Sequence, residues 1–144
     1  MAEALLNSLG RGRFQAFSAG SHPGTSVHPF ALTTLSEMHM PTDGLRSKDW
    51  GEFTGSGAPE LNFVFTVCDQ AAGEACPVWP GQPMTAHWGV ADPAAVEGTD
   101  AQKAKAFWDT AIILKRRIEL MLALPLASLD QLTIQREIRN IGSR

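Results

Sequence analysis

Phe63-Val64-Phe65-Thr66-Val67-Cys68, then Cys76-Pro77, then His87-Trp88-Gly89-Val90-Ala91-Asp92-Pro93 is the stretch that decides how this chain is read. Its first part is an apolar, β-branched run that delivers a thiol to its C-terminal end, the pattern of a buried strand. A second thiol follows across a short loop rich in Gly and Ala, and an Asp-Pro comes soon after. Cys68 and Cys76 are the two cysteines of the chain, so thiol chemistry uses them or a partner's. Two thiols that a loop can bring together beside a carboxylate suggest redox chemistry at the mouth of an α/β sheet.

Working outward, 144 residues predict one domain, residues 1–144, large enough to bury a core. A hydrophobic fraction of 44% against 19% charged residues is that of an ordinary globular protein. The net charge of −3 leaves no nucleic-acid footprint. The basic residues are scattered apart from Lys115-Arg116-Arg117, read as a solvated helix face. No apolar run reaches the roughly 18 to 20 residues of a membrane span. Met1-Ala2-Glu3-Ala4-Leu5-Leu6-Asn7 lacks the basic start of a signal peptide. Two cysteines without an export signal point to the reducing cytoplasm.

Strand-like and helix-like segments alternate. Ala2–Leu9 reads as a helix stopped by Gly10, and Phe14–Ser18 as a short strand. His28-Pro29 opens a helix to about Met38, and Ser47 is a candidate cap for a short helix holding Trp50 and Phe53. Leu61–Val67 is the clearest strand, with a third one around Met84–Trp88. Ala101–Leu124 carries a long apolar stripe, Pro125 ends it, and Ser128 is a candidate cap for a last helix to about Ile141. The alternation predicts parallel βαβ units, although three strands are few for a doubly wound domain of this length.

A phosphate-cradling Cys-x5-Arg loop would need arginine six residues beyond a cysteine; those positions hold Glu74 and Gln82. The cysteines are too far apart for a CxxC motif, and His22, His28, His39 and His87 have no metal-site spacing. Serine-hydrolase elbows and dinucleotide fingerprints are also missing.

The ordered series Met1 to Asn7, Phe17-Ser18-Ala19-Gly20-Ser21, Val27-His28-Pro29, Arg46-Ser47-Lys48, Thr66-Val67-Cys68, Cys76-Pro77 and His87-Trp88-Gly89 before Asp92-Pro93 resembles the arsenate reductases of the low-molecular-weight protein-tyrosine-phosphatase superfamily. The resemblance runs along almost the whole chain. The phosphatases of that superfamily carry a Tyr after their Asp-Pro, whereas this chain has Ala94 and no tyrosine.

The resemblance implies an α/β, flavodoxin-like three-layer sandwich with a parallel sheet of order 2-1-3-4. In the family, a first, central strand leads into the Cys-x5-Arg loop, and a Met-Ala-Glu lies just inside the helix that follows. This sequence begins at that Met, so the strand, the nucleophilic cysteine and the arginine are expected upstream of it. In the family's mechanism the loop cysteine attacks arsenate, a second cysteine attacks that adduct to release arsenite, and a third resolves the disulfide. A thioredoxin- or glutaredoxin-type reductant then reduces the product. Carried over, Cys68 is the second cysteine, Cys76 the third, and Asp92 the general acid of phosphatase relatives. Glu3 and Ser18 fall where some members hold a potassium ion.

The chain as given is therefore expected to be arsenate reductase-like and inactive alone. A non-enzymatic redox-sensitive or binding derivative, and a low-molecular-weight phosphatase, are the alternatives. Taken alone, two cysteines are more often packed, inert thiols, Asp92-Pro93 is a turn, and His87 and Trp88 are packing residues. Without a central strand, backbone groups on both sides of the gap lose partners, at roughly 1 to 3 kcal/mol for each buried one. The expected remedies are direct joining of the two edges, or a homodimer that lends a strand.

Overall fold

The computed structural model describes residues 1–68 and 79–144. The apolar run forms β1, Phe63–Thr66, and the Met84 segment forms β2, Met84–His87. They pair in parallel, Phe63 opposite Met84 and Thr66 opposite His87. The Met84 amide donates to the Asn62 carbonyl and the Trp88 amide to the Thr66 carbonyl. The even-numbered residues of β1 thus turn their backbone groups toward β2, and Phe63 and Phe65 turn theirs away.

Among the described residues four α-helices surround this pair: α1, Ala2–Leu9; α2, Pro29–Glu37; α3, Asp100–Leu122; and α4, Gln131–Ile141. Short 3-10 turns lie at Trp50–Phe53, Pro93–Ala95 and Leu126–Ser128. Helix α3 is the central support, packing on α1, α2 and α4. It starts at a capping box in which Thr99 accepts from the Gln102 amide while the Gln102 side chain accepts from the Thr99 amide. Its buried stripe is Phe107, Ala111, Leu114, Ile118 and Met121, of which Leu114, Ile118 and Met121 join Leu5 of α1, Leu35 of α2 and Ile138 of α4 in the core. The result is an α/β architecture with a parallel sheet, as the sequence predicts.

Several expectations need correction. Phe14–Ser18 is not a strand of the sheet. Asn7 of α1 donates to the Ala16 carbonyl (3.0 Å) and accepts from the Ala16 amide (2.7 Å), and Glu3 accepts from the Ser18 amide (2.7 Å). Polar side chains of a helix thereby replace a strand ladder along that edge. Just beyond, Gly20 makes an isolated parallel bridge to Asp49. The Phe14–Ser18 segment and β1 are not joined by backbone hydrogen bonds among the described residues. Their contact is between rings, Phe14 to Phe63, with centroids 6.1 Å apart.

Two caps also differ. Asp49, not Ser47, accepts from the Gly51 amide, and Asp130, not Ser128, accepts from the Thr133 amide. The Ser128 hydroxyl instead donates back to the Pro125 carbonyl, closing the preceding turn. Lys115 and Arg116 are accompanied by an Arg117 that is buried, against the expectation of a solvated cluster.

Candidate functional site

Cys68 lies two residues beyond the C-terminal end of β1 and is half-buried. The next segment of the candidate site leaves the matching end of β2. There the Val90 amide donates to the Val67 carbonyl at 2.9 Å, tying the turn after β2 to the residue before Cys68. Two residues on, Asp92 opens a 3-10 turn, its Oδ1 accepting from the Ala94 amide at 2.9 Å. Cys68 and Asp92 therefore issue from the same, C-terminal edge of a parallel sheet, the edge where α/β folds place ligands. Cys76 lies outside the described residues.

The turn between them is held from behind. Trp88 is buried, packs on Phe65 with ring centroids 4.1 Å apart and the rings tilted by 35°, and donates its indole N–H to the Ile138 carbonyl at 2.8 Å. Arg117 donates to the carbonyls of Trp88 (2.8 Å) and Gly89 (3.0 Å). Its Nε is buried without a hydrogen-bond partner. Burial, with Arg116 adding like-charge repulsion, lowers the Arg117 pKa from its ordinary value. His87 is linked to Thr66 across the two strands, Nδ1 to Oγ1 at 2.7 Å, which suits a packing role.

Glu3 and Ser18, expected at a potassium site, do come together. Glu3 Oε1 accepts from the Ser18 amide (2.7 Å), the Ser18 hydroxyl (3.0 Å) and the Lys48 ammonium (3.2 Å). Lys48 donates also to the Arg46 carbonyl, and its side chain is only 5% exposed. The chain supplies its own cation at Glu3 Oε1, so this donor set does not fit a potassium ion there. Among the described residues no cluster of three His, Cys, Asp or Glu side chains is arranged to hold a metal.

Lys48, Asn7 and Arg117 are the structural residues that sequence reasoning passed over. Arg117 had a visible signal: it sits three residues from Leu114 and four from Met121, within the apolar stripe of α3. Lys48 and Asn7 had none, because their partners are 45 and 9 residues away.

Comparison with known proteins bears on the family and the fold. An arsenate reductase from Halalkalibacterium halodurans is 44% identical over 48 residues, 33% of this chain and 34% of that protein. One from Shouchella clausii is 41% identical over 46 residues, 32% of each chain. These two alignments span about a third of their relatives' length. An arsenate reductase from Oceanobacillus iheyensis is 26% identical over 107 residues, 74% of this chain and 73% of that one. A solved structure described as an arsenate reductase in reduced state shares the fold, with a TM-score of 0.64, 22% identity and 85% coverage of both chains. No helix among the described residues is long and apolar enough to cross a membrane. The family described as low molecular weight phosphotyrosine protein phosphatase matches residues 1–132, and with the parallel sheet and its helices already in view, that match makes the chain a member of this family.

Proposed function

We propose that this chain acts in the reduction of arsenate to arsenite, as the part that passes a disulfide from the reacting centre to an external reductant in the cytoplasm. The observation that carries the reading is the position of Cys68: it lies two residues beyond the C-terminal end of β1, inside the family match, at the end of the sheet from which the turn to Asp92 also issues. The three relatives named arsenate reductase support the choice of reaction over phosphate-ester hydrolysis.

In this scheme arsenate is first bound to a cysteine sulfur. The Cys68 thiolate attacks that sulfur, a sulfur–sulfur bond forms, and the sulfur–arsenic bond breaks. Its electron pair leaves with arsenic, which departs as arsenite. The Cys76 thiolate then attacks the Cys68 sulfur, giving a Cys68–Cys76 disulfide and releasing the first cysteine as a thiolate. A thioredoxin- or glutaredoxin-type dithiol reduces the new disulfide and becomes oxidised in turn. Forming that first sulfur–arsenic bond expels one arsenate oxygen as water, and Asp92 is assigned the role of giving the leaving oxygen its proton. The cysteine that first takes arsenic belongs to a Cys-x5-Arg loop, a spacing that these 144 residues do not contain.

The test uses the purified chain, oxidised with one equivalent of a disulfide-forming reagent and given NADPH, thioredoxin reductase and thioredoxin, or the glutathione–glutaredoxin system. One NADPH per chain is expected with at least one of them. Cys68→Ser and Cys76→Ser should each abolish that consumption. The chain by itself should not turn over arsenate. Sustained arsenate reduction by the Cys68→Ser variant, or no reduction of the oxidised chain by either system, overturns the reading.

A further inference from the structure

The Lys48 ammonium is bonded to Glu3, one of the two residues that the resemblance assigns to a potassium site. The Lys48 side chain is 5% exposed and that of Glu3 11%. The ammonium donates to Glu3 Oε1 and to the Arg46 carbonyl, both at 3.2 Å. Glu3 Oε1 takes two more hydrogen bonds, from the Ser18 amide (2.7 Å) and the Ser18 hydroxyl (3.0 Å). The Lys48 backbone holds the same segment, its carbonyl accepting from the Gly20 amide at 3.0 Å while the Gly20 carbonyl accepts from the Trp50 amide at 3.1 Å. One lysine thus ties α1, residues 18–20 and the loop 46–50 together.

Charge and chemistry both separate this arrangement from a potassium site. Arg46 makes a bidentate pair with Glu52, Nη1 to Oε1 at 2.9 Å and Nη2 to Oε2 at 2.7 Å. The hydrogen bonds of Arg46, its charge and that of Lys48 lower the Glu52 pKa from its ordinary value, so the two ion pairs feel each other. Glu3, Lys48, Arg46 and Glu52 are two negative and two positive side chains, and their charges already balance. A potassium ion added to them would be an excess charge, competing with an ammonium that cannot leave. Removing the ammonium reverses the balance. It leaves the Glu3 carboxylate uncompensated in a nearly buried position, which is strongly unfavourable. It also frees oxygens of Glu3 and of the Arg46 carbonyl. With the Ser18 hydroxyl they make a carboxylate, a carbonyl and a hydroxyl, oxygen donors of the kind that hard cations take.

We propose that Lys48 is a built-in monovalent cation: its ammonium stands in for the potassium ion that some members of the family hold, and taking that charge away turns Glu3, Ser18 and Arg46 into a potassium site. A bound ion occupies its site only in proportion to its concentration, whereas an ammonium on a covalent stem is always present. The hold of α1 on residues 18–20 and on the loop 46–50 is therefore independent of potassium. This inference concerns how the chain is held together and does not depend on the arsenate reading.

The test reads thermal unfolding of the purified chain in potassium chloride against choline chloride at equal ionic strength. Wild type is expected to unfold at the same temperature in both. Lys48→Ala is expected to unfold lower than wild type in choline chloride and to recover along a saturating curve as potassium is added. With potassium about tenfold above its dissociation constant, the recovery should reach roughly 3 to 6 °C for a chain of this size. In a variant carrying both Lys48→Ala and Glu3→Gln the potassium response should vanish, because the charge that holds the ion is gone. Where Lys48→Ala does not fold in choline chloride, a helical circular-dichroism signal that appears on adding potassium is the same result. A potassium-specific rise in wild type would mean that an ion binds beside Lys48, and would overturn the proposal. So would equal midpoints for Lys48→Ala in the two salts, its failure to fold in either, or an undiminished response in the double variant.

Discussion

Arg117 shows how a single residue fixes the candidate site from the far side of the core. It reaches from α3 to the carbonyls of Trp88 and Gly89, the turn that leads from β2 to Asp92. Hydrogen bonds from a charged donor are worth roughly 1.5 to 3 kcal/mol, and removing the donor leaves buried carbonyls unsatisfied. Arg117→Ala is therefore expected to lower stability by about 3 kcal/mol in urea unfolding. Arg117→Lys should recover only part of it, since an ammonium does not reproduce the planar fork. A wild-type unfolding midpoint in Arg117→Ala would show the turn to be held by Trp88 alone. At this scale the sequence was partly legible. Cys68 and Asp92 both follow the C-terminal ends of the two strands, a placement visible in their order along the sequence, whereas Lys48 became a buried partner of Glu3 through a contact no local pattern encodes.

At the scale of elements, apolar periodicity was the reliable signal. The helices at Pro29–Glu37, Asp100–Leu122 and Gln131–Ile141 and both strands appear within a few residues of their expected limits. Caps were less legible because serine and aspartate compete within a few positions: the Ser128 hydroxyl is used by the turn before it, leaving Asp130 to start α4. Phe14–Ser18 has the composition of a strand, but side chains of α1 took its hydrogen-bonding groups. The Asp130 cap carries a pH signature. The Thr133 amide and side chain hold the Asp130 pKa below its ordinary value of 3.8. A carboxyl depressed on folding contributes stability that is fully present above its unfolded pKa and is lost as pH falls through the folded one. Asp130→Asn, which keeps an acceptor but does not titrate, should therefore show a shallower loss of stability below about pH 4. Denaturant midpoints at pH 7 and pH 3 would measure it, and parallel acid limbs in the two proteins would exclude the contribution.

Across the whole molecule, the resemblance implied a sheet with a central strand beside β1, and among the described residues no strand pairs with that edge. Of the two expected remedies, direct joining of the flanking edges does not occur among the described residues; the gap stays open as a slot beside β1. Sequence alone could state that β1 is an interior strand, but not whether the segment across the gap would move in. That outcome turns on Asn7 and Glu3, which satisfy Ala16 and Ser18 where they are. The open edge predicts an alternating pattern in hydrogen exchange of the chain alone. The amides of Val64 and Thr66 point toward β2 and should be protected, while those of Phe63 and Phe65 should exchange faster. Uniform protection along β1 would mean that the edge is covered in solution.

Cys68 and Cys76, proposed as a reversible thiol pair, are tested most directly by titration of thiols. The reduced chain should show two thiols, one equivalent of a disulfide-forming oxidant should leave none while the protein stays monomeric, and thioredoxin or glutaredoxin should restore both. An unchanged count of two after oxidation, or loss of thiols only through disulfides between chains, would contradict it.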